Sequence, residues 1–154
     1  MEMKRILWPT DLSRNSAAAL DYVAFFSRKL GAEVVLLYVA EDMRRFDHIY
    51  GDANAEFLRG LQTLEVKNAQ ERMERICQER LAGCLAFVRE VAIGDPVVEI
   101  LRIAKEKGVS LIIMATRGSR QDKGAAQFFG SVTDKVIRTS PVPVLVINKG
   151  QPTG

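Results

Sequence analysis

The chain has 154 residues, of which 47% are hydrophobic and 27% charged, a balance that suits one folded domain and is too apolar for intrinsic disorder. Its 22 basic and 19 acidic residues are spread along the chain and leave a net charge of only +3, which argues against a nucleic-acid or anionic-lipid surface. No stretch has the apolar length of a signal peptide or a membrane span. We therefore expect a cytoplasmic protein that binds neither nucleic acid nor membrane.

Five short apolar runs alternate with segments of helical period. The predicted strands cover 5–10, 33–40, 85–93, 111–116 and 142–148. The predicted helices cover about 14–30, 56–82, 96–107 and 131–139. This alternation predicts an α/β domain, a single doubly wound five-stranded parallel sheet with helices on both faces. We expect the domain to occupy 1–149 and to be followed by a loose tail at 150–154.

Residues at the predicted helix ends agree with these bounds. Ser13 is suited to cap the first helix, and Asp95 followed by Pro96 is the pattern of an N-cap with proline at the first helical position. Gly31 and Gly108 stand just beyond the ends of their helices, where glycine is common. Local signals and the overall alternation therefore predict the same elements.

The character of each strand predicts its place in the sheet. Runs 33–40 and 111–116 are continuously apolar, as central parallel strands are. The third run contains Arg89 and Glu90 and the fifth contains Pro143, which marks both as edge strands. With right-handed crossovers the order is 3-2-1-4-5. The winding then reverses between strands one and four, where a ligand crevice is expected.

The segment 41–56 is the one long irregular stretch, and it contains His48, the sole histidine. A mobile surface connection is the favoured interpretation, and a lid over the crevice is the alternative. A single histidine argues against a multi-histidine metal site and a Ser-His-Asp triad. Cys77 and Cys84 lack the C-x-x-C spacing of a zinc site. We predict no catalytic residue, no metal cluster and, at most, slow metal-assisted hydrolysis.

Two short segments follow the strands that flank the expected crevice, residues 9–11 and residues 115–118. The glycine-containing stretch after the second segment leads to Gly130 and Ser131 at the start of a helix. Free backbone N–H groups and the positive end of the helix dipole attract an anion at such a position. The sequence therefore predicts a phosphate between Gly118 and Ser131.

The chain resembles the universal stress proteins of the UspA type in five stretches. These are ILWPTDLS at 6–13, LLYVAE at 36–41, GDP at 94–96, LIIMATRG at 111–118 and GSVTDKVIRTSPVPVLVI at 130–147. The resemblance implies a doubly wound domain that is usually dimeric and that in some members binds ATP. It also implies a stress-response sensor or regulator that acts through an unknown protein partner.

The resemblance implies a site for an adenine nucleotide: ATP, with or without Mg²⁺, or else ADP or AMP. Asp11 would contact ribose or adenine, and the backbone of Val39 would face adenine. The residues that would line the base and sugar pocket are Pro9, Thr10 and Met114. The residues that would hold the phosphates are Gly118, Gly130, Ser131 and Val132.

This sequence departs from the family's glycine pattern twice. Ala115 stands where the leading glycine is expected, and eleven residues, rather than nine, separate Gly118 from Gly130. Within this longer connection Lys123 and Arg120 are candidates to contact phosphate, whereas Asp122 would oppose it or help to hold a metal. The alternative is thus a nucleotide-free dimeric interaction module of the same fold with its phosphate loop altered.

The site residues also have structural interpretations. Asp11 is suited to cap the first helix or to bond within its own turn. Gly118 is suited to a plain turn, and Ser131 to an N-cap with Asp134 as its acidic partner. For Asp11 the two interpretations carry equal weight, and its position at a strand end slightly favours the site. For Gly118 and Ser131, taken one at a time, the structural interpretation is favoured, and only the convergence of these residues on one crevice favours binding.

The last strand indicates a partner. Pro141 and Pro143 mark an edge, yet the residues from Val144 to Ile147 are all apolar and make that edge adhesive. In the family this strand pairs antiparallel with its symmetry mate, and a two-fold contact is the commonest way to close such an edge. We predict a homodimer through 142–148.

Overall fold

A computed structural model of the chain describes residues 1–50, 54–84, 86–116 and 130–148. The strands are β1 Arg5–Pro9, β2 Glu33–Ala40, β3 Phe87–Ile93, β4 Leu111–Ala115 and β5 Val144–Ile147. The α-helices are α1 Leu20–Leu30, α2 Asp47–Tyr50, α3 Ala55–Arg80, α4 Pro96–Glu106 and α5 Ser131–Thr139. Two 3-10 helices cover Ser16–Ala19 and Met43–Phe46.

The strands form one parallel sheet in the order β3-β2-β1-β4-β5. β1 pairs with β2 from Arg5 opposite Glu33 to Pro9 opposite Leu37, and its other side pairs with β4. The predicted fold class, strand order and edge strands are therefore confirmed. The continuously apolar strands are central because both of their faces are buried under helices.

The sheet divides the core into two clusters, because successive side chains of a strand point to opposite faces. One cluster joins Ile6, Trp8 and Ile113 to α1 and to Met73 and Cys77 of α3. The other joins Leu7, Leu37 and Ile112 of the sheet to Ile100 and Ile103 of α4 and to Val136 of α5. None of the described helices is both long and apolar enough to cross a membrane.

The two cysteines form no disulfide, and the histidine lies at the surface. Cys77 is 1% exposed and Cys84 half-buried, and both are free thiols. Burial raises the pKa of the Cys77 thiol to about 11, so this group stays protonated at neutral pH. His48 is exposed, as its polar surroundings indicate.

The predicted helix caps are largely confirmed. The carboxylate of Asp95 accepts a hydrogen bond from Val98 N at 3.0 Å, with Pro96 as the first residue of α4. Gly31 adopts φ 63°, the left-handed conformation that ends α1 and that glycine reaches without strain. Ser13 Oγ accepts from Ser16 N at 3.2 Å, but the turn that it caps is 3-10 and precedes α1.

Several predicted assignments differ from the structure. Within the segment 41–56, predicted to be irregular, residues 43–50 are helical and Gln62 Nε2 donates to the carbonyl of Glu41 at 2.6 Å, while residues 51–53 lie outside the described part. β5 begins at Val144 and not at 142, because the hydroxyl of Ser140 bonds both N and O of Val142 and holds that residue in a turn. β3 begins at residue 87, and residue 85 lies outside the described part.

The loop after β1 is held in an unusual conformation. Leu12 adopts φ 64°, a left-handed conformation that costs an L-residue roughly 1–2 kcal/mol. The hydroxyl of Thr10 accepts a hydrogen bond from Leu12 N at 3.0 Å and lies 2.6 Å from the hydroxyl of Ser16. From α3, Arg72 Nη2 donates to the carbonyl of Leu12 at 2.5 Å. These bonds, with burial of the Leu12 side chain, offset the strain.

Replacing Arg72 with methionine removes the guanidinium bond and keeps an unbranched side chain. We expect the free energy of unfolding to fall by about 1 kcal/mol, the typical net value of one such hydrogen bond. The matched control is Arg75→Met, an exposed arginine one turn along α3 with no hydrogen bond or ion pair to the described residues. Urea unfolding measures both. Equal stabilities of the two variants would show that α3 does not hold the loop.

Candidate functional site

The crevice lies where the connections leaving β1 and β4 part. The chain leaves β1 toward α1 on one face of the sheet and leaves β4 toward α5 on the other face. β1 and β4 are adjacent, with Ile6 opposite Leu111 and Leu7 opposite Ile112. Diverging connections at the carboxyl ends of neighbouring parallel strands leave a space that is open to ligands. The switch point is therefore where the strand order predicts it.

On the β1 wall, Pro9 and Thr10 are buried, whereas Asp11 is exposed. Thr10 N donates to the carbonyl of Leu37 at 2.9 Å, and its hydroxyl is engaged within the loop. Asp11 Oδ1 accepts from Ser13 N at 3.0 Å. Asp11 thus bonds within its own turn, as its structural interpretation expects, and it is exposed just beyond the carboxyl end of β1.

On the β4 wall, two bonds fix the start of α5 against the strand end. Gly130 N donates to the carbonyl of Thr116 at 2.7 Å, and Thr133 Oγ1 donates to the carbonyl of Ala115 at 3.0 Å. Met114 and Ala115 are 5% and 8% exposed. The beginning of α5 is therefore held directly beside the carboxyl end of β4.

The first turn of α5 carries the donors of the site. Gly130, and not Ser131, is the N-cap residue, with φ −62° and ψ 158°, and no side chain caps the helix. The N-cap expected at Ser131 is wrong because the first helical bond runs from Asp134 N to the carbonyl of Gly130 at 2.9 Å. Within the described residues the N–H groups of Ser131, Val132 and Thr133 have no partner. These three donors meet the positive end of the helix dipole.

The carboxylate of Asp134 does not act as the partner of a cap. It bonds Arg138 Nε at 3.0 Å across one turn of α5. The Gly130 N–H is also occupied, by Thr116 O. The amide donors that remain for an anion are therefore those of residues 131–133.

Three of the predicted site residues meet in one apolar surface. Val39, Met114 and Val132 all belong to the cluster on the α4 and α5 face of the sheet. Met114 is buried, and the two valines are half-buried at the edge of the cluster. Ala115 has the opposite strand parity, so its methyl group lies toward the face of α1 and not toward this surface.

A cavity of about 330 Å³ lies on the other face, between Leu12, the end of β2 and α3. The Tyr38 hydroxyl donates to Glu65 Oε1 at 2.7 Å at its wall. Burial, and then the bond to Glu65, raises the pKa of Tyr38, so the phenol stays neutral and remains a donor. Arg72 lines the same cavity. The sequence does not single out these α3 residues, because their charges resemble those of any solvated helix face.

Several predicted contacts fall on the connection between β4 and α5. Gly118, Arg120, Asp122 and Lys123 lie outside the described residues. The phosphate position expected between Gly118 and Ser131 therefore stays a prediction. Among the described residues no three histidine, cysteine or acidic side chains are grouped to hold a metal ion.

Known proteins with this architecture share much of the sequence. The universal stress protein MJ0577 of Methanocaldococcus jannaschii is 33% identical over 156 residues, which cover 95% of this chain and 95% of MJ0577. The solved structure of MJ0577 matches with a TM-score of 0.82 and 32% identity, covering 98% of this chain and 99% of that chain.

Two more distant structures share the fold. A universal stress protein solved in complex with cAMP has a TM-score of 0.63 at 19% identity, covering 97% of this chain and all of its own. One from Archaeoglobus fulgidus in complex with dAMP has a TM-score of 0.64 at 17% identity, covering 94% of this chain and 97% of its own. The model of the universal stress protein family matches residues 2–148. The chain belongs to the universal stress protein family.

Proposed function

We propose that the crevice between β1 and β4 binds an adenine nucleotide, with ATP as the leading candidate and ADP or AMP as alternatives. The observation that carries this proposal is the group of three N–H donors at residues 131–133, which have no partner among the described residues and are held beside β4 by Gly130 and Thr133. Backbone donors at a helix start bind phosphate without a dedicated cationic side chain. Mg²⁺ is an accessory in this proposal and not a requirement.

The distribution of charge across the crevice orients the ligand. The start of α5 favours an anion, whereas the exposed carboxylate of Asp11 repels one and accepts hydrogen bonds from neutral donors. The apolar surface of Val39, Met114 and Val132 suits a planar ring. A molecule with phosphate at one end and a hydroxyl-bearing sugar and a base at the other matches the helix start, the carboxylate of Asp11 and the apolar surface. The complexes of two family members with cAMP and dAMP support adenine as the base.

The proposed role is that of a cytoplasmic binding protein and not an enzyme. We assign no general acid or base to the described part of the crevice, where Asp11 is the one carboxylate that we assign to ligand binding. Binding without turnover suits a sensor in which the occupied and empty forms meet different protein partners. We propose that this protein senses stress through the nucleotide and responds by changing partners.

The second candidate is a nucleotide-free interaction module. Ala115 in the place of a glycine and the eleven residues between Gly118 and Gly130 favour it. Small molecules released from the purified protein distinguish the two candidates. One equivalent of adenine nucleotide supports the sensor, whereas no nucleotide, together with no binding of added ATP and MgCl₂, supports the module.

In either case we propose a homodimer through β5. Ile112 N donates to the carbonyl of Pro143 and Thr116 N to that of Ile147, so the odd-numbered residues of this segment face β4. The N–H and C=O groups of Val144 and Val146 therefore point away from the sheet, as a second copy requires. The half-buried apolar side chains of Val144 and Leu145 would be covered by the partner.

The free amides are tested by Ser131→Pro. Proline is favoured at the first helical position, and Gly130 already has the extended conformation that residues before proline prefer, so α5 should form normally. We expect loss of one charge-assisted bond to weaken AMP and ATP binding roughly 10-fold, about 1.4 kcal/mol, in isothermal titration calorimetry. Ser131→Ala keeps the amide and should bind within about 2-fold of the parent. Equal affinities for all three proteins would place the phosphate elsewhere.

The dimer is tested by Val146→Pro, which deletes an outward N–H group and leaves the bonds from β5 to β4 in place. We expect the two-strand contact to be lost, so that sedimentation velocity detects a monomer with an unchanged circular dichroism spectrum. Val144→Thr keeps both the donor and the β-branched shape and should remain dimeric. A dimer of Val146→Pro at the same concentration would contradict pairing through this edge.

A further inference from the structure

The opposite edge of the sheet carries a groove that the proposed nucleotide site does not use. Its volume is about 510 Å³, and it lies between the side of α3 and the edge strand β3. The helix contributes Gln70, Glu71 and Glu74, and the strand contributes Arg89 and Val91. One wall is thus a helix and the other an edge strand, the two elements between which extended peptides bind in β-augmentation.

The backbone of β3 offers hydrogen bonds to this groove. Val34 N donates to the carbonyl of Ala86 at 2.9 Å, and Gly94 N donates to the carbonyl of Ala40 at 3.0 Å. In a parallel ladder these bonds show that the backbone N–H and C=O groups of the even-numbered residues of β3 point toward β2. The N–H and C=O groups of Phe87, Arg89, Val91 and Ile93 therefore point away from the sheet. No other strand of the described part pairs with them.

The charge of the groove selects the occupant. Glu71 and Glu74 contribute two carboxylates, and Arg89 contributes one guanidinium, which pairs with Glu74. Glu71 has no cationic side chain within 4 Å in the described part of the chain. The wall of the groove is therefore net negative on a chain whose overall charge is +3. Basic side chains are favoured here and acidic ones are repelled.

We propose that the groove between α3 and β3 is a docking site for an extended segment of another protein that carries basic side chains. The segment adds a sixth strand to the sheet by pairing with the outward backbone groups of β3. Its alternate side chains enter the groove, where a lysine or arginine reaches Glu71 and an aliphatic stem covers Val91. Main-chain bonds supply affinity, and the carboxylates supply selectivity.

A second copy of this chain is a poorer occupant. Two-fold pairing of β3 with its symmetry mate would bring two α3 helices to the same junction, with Glu71 and Glu74 of each copy facing those of the other. Like charges in that arrangement oppose association. The apolar β5 edge has no such barrier, so the two edges of the sheet suit different partners.

The probe is the peptide acetyl-Thr-Lys-Thr-Lys-Thr-Lys-Thr-amide, which presents lysine on one face of a strand and threonine on the other. We expect it to bind the protein in 150 mM salt with shifts of β3 amide signals in ¹H–¹⁵N spectra. Hydrogen exchange at Arg89 and Val91, whose N–H groups point outward, should slow. Exchange at Val88 and Glu90 should change little, because their amides already bond β2. Absence of binding, or binding without slower exchange at Arg89 and Val91, would overturn the proposal.

Two N-methylated versions of the peptide test the added strand. Methyl groups on the lysine amides block an antiparallel ladder, and methyl groups on the threonine amides block a parallel one. We expect one version to lose at least about 10-fold in affinity and the other to bind like the parent, which also reveals the direction of the segment. Equal affinities of both versions would exclude backbone pairing.

The carboxylate is tested by Glu71→Gln, for which we expect peptide affinity to fall about 3- to 10-fold. The matched control is Glu79→Gln, which removes the same charge from an exposed position of α3 outside the groove and should bind within about 2-fold of the parent. Equal losses in both variants would indicate general charge attraction and contradict a docking site. None of these measurements depends on nucleotide, so they stand or fall separately from the proposed function.

Discussion

The right-handed crossover of parallel strands is the constraint on which the rest of this structure depends. It places α1 and α3 on one face of the sheet while the strands are added in the direction of β3, and α4 and α5 on the other face once the winding reverses. The two connections at the reversal must therefore part. The crevice exists because the connection after β1 continues to one face of the sheet and the connection after β4 continues to the other. The last residues of β1 and β4 form its walls.

Each wall is made rigid by bonds between short polar side chains and the backbone. Thr10 and Ser16 hold the β1 loop from within, and Arg72 holds it from α3. Thr133 ties α5 to β4 through a buried hydroxyl. A site for an anion needs such support, because unpartnered amides bind well only when their positions are set before the ligand arrives. The strained conformation of Leu12 is maintained in the same way.

The two edges of the sheet differ in how they meet solvent. β5 is short and apolar and directly follows Pro143. Along it, residues whose backbone bonds β4 alternate with residues whose N–H and C=O groups point outward. β3 is longer, and Arg89 and Glu90 place charges on both of its faces, where Glu74 and Lys107 pair with them. Charged side chains on an edge discourage indiscriminate pairing while leaving the backbone available to a matching partner. The proposed homodimer and the proposed docking site would thus use two edges of different character.

The sequence by itself determined the elements, the strand order and the family resemblance. Alternating apolar runs and helical periods, Pro143 in the last run and the charges at 89 and 90 are local signals, and local signals suffice where each element follows its own periodicity. They did not predict the helical turns of 43–50, where the Asp42 carboxylate accepts from Arg44 N as a cap and Gln62 of α3 donates to the carbonyl of Glu41. At Ser131 the predicted cap is wrong by one residue, because Gly130 is the N-cap.

Only the tertiary structure decided which groups face the crevice. That Gly130 N is occupied by Thr116, and that the N–H groups of residues 131–133 have no partner within the described part of the chain, follow from contacts between distant segments. The role of Arg72, sixty residues from its acceptor, has no sequence signal at all. Periodicity shows which face of an element is apolar. A hydrogen bond between two elements depends on their relative positions, and these are set only when the strands and helices have assembled around the sheet.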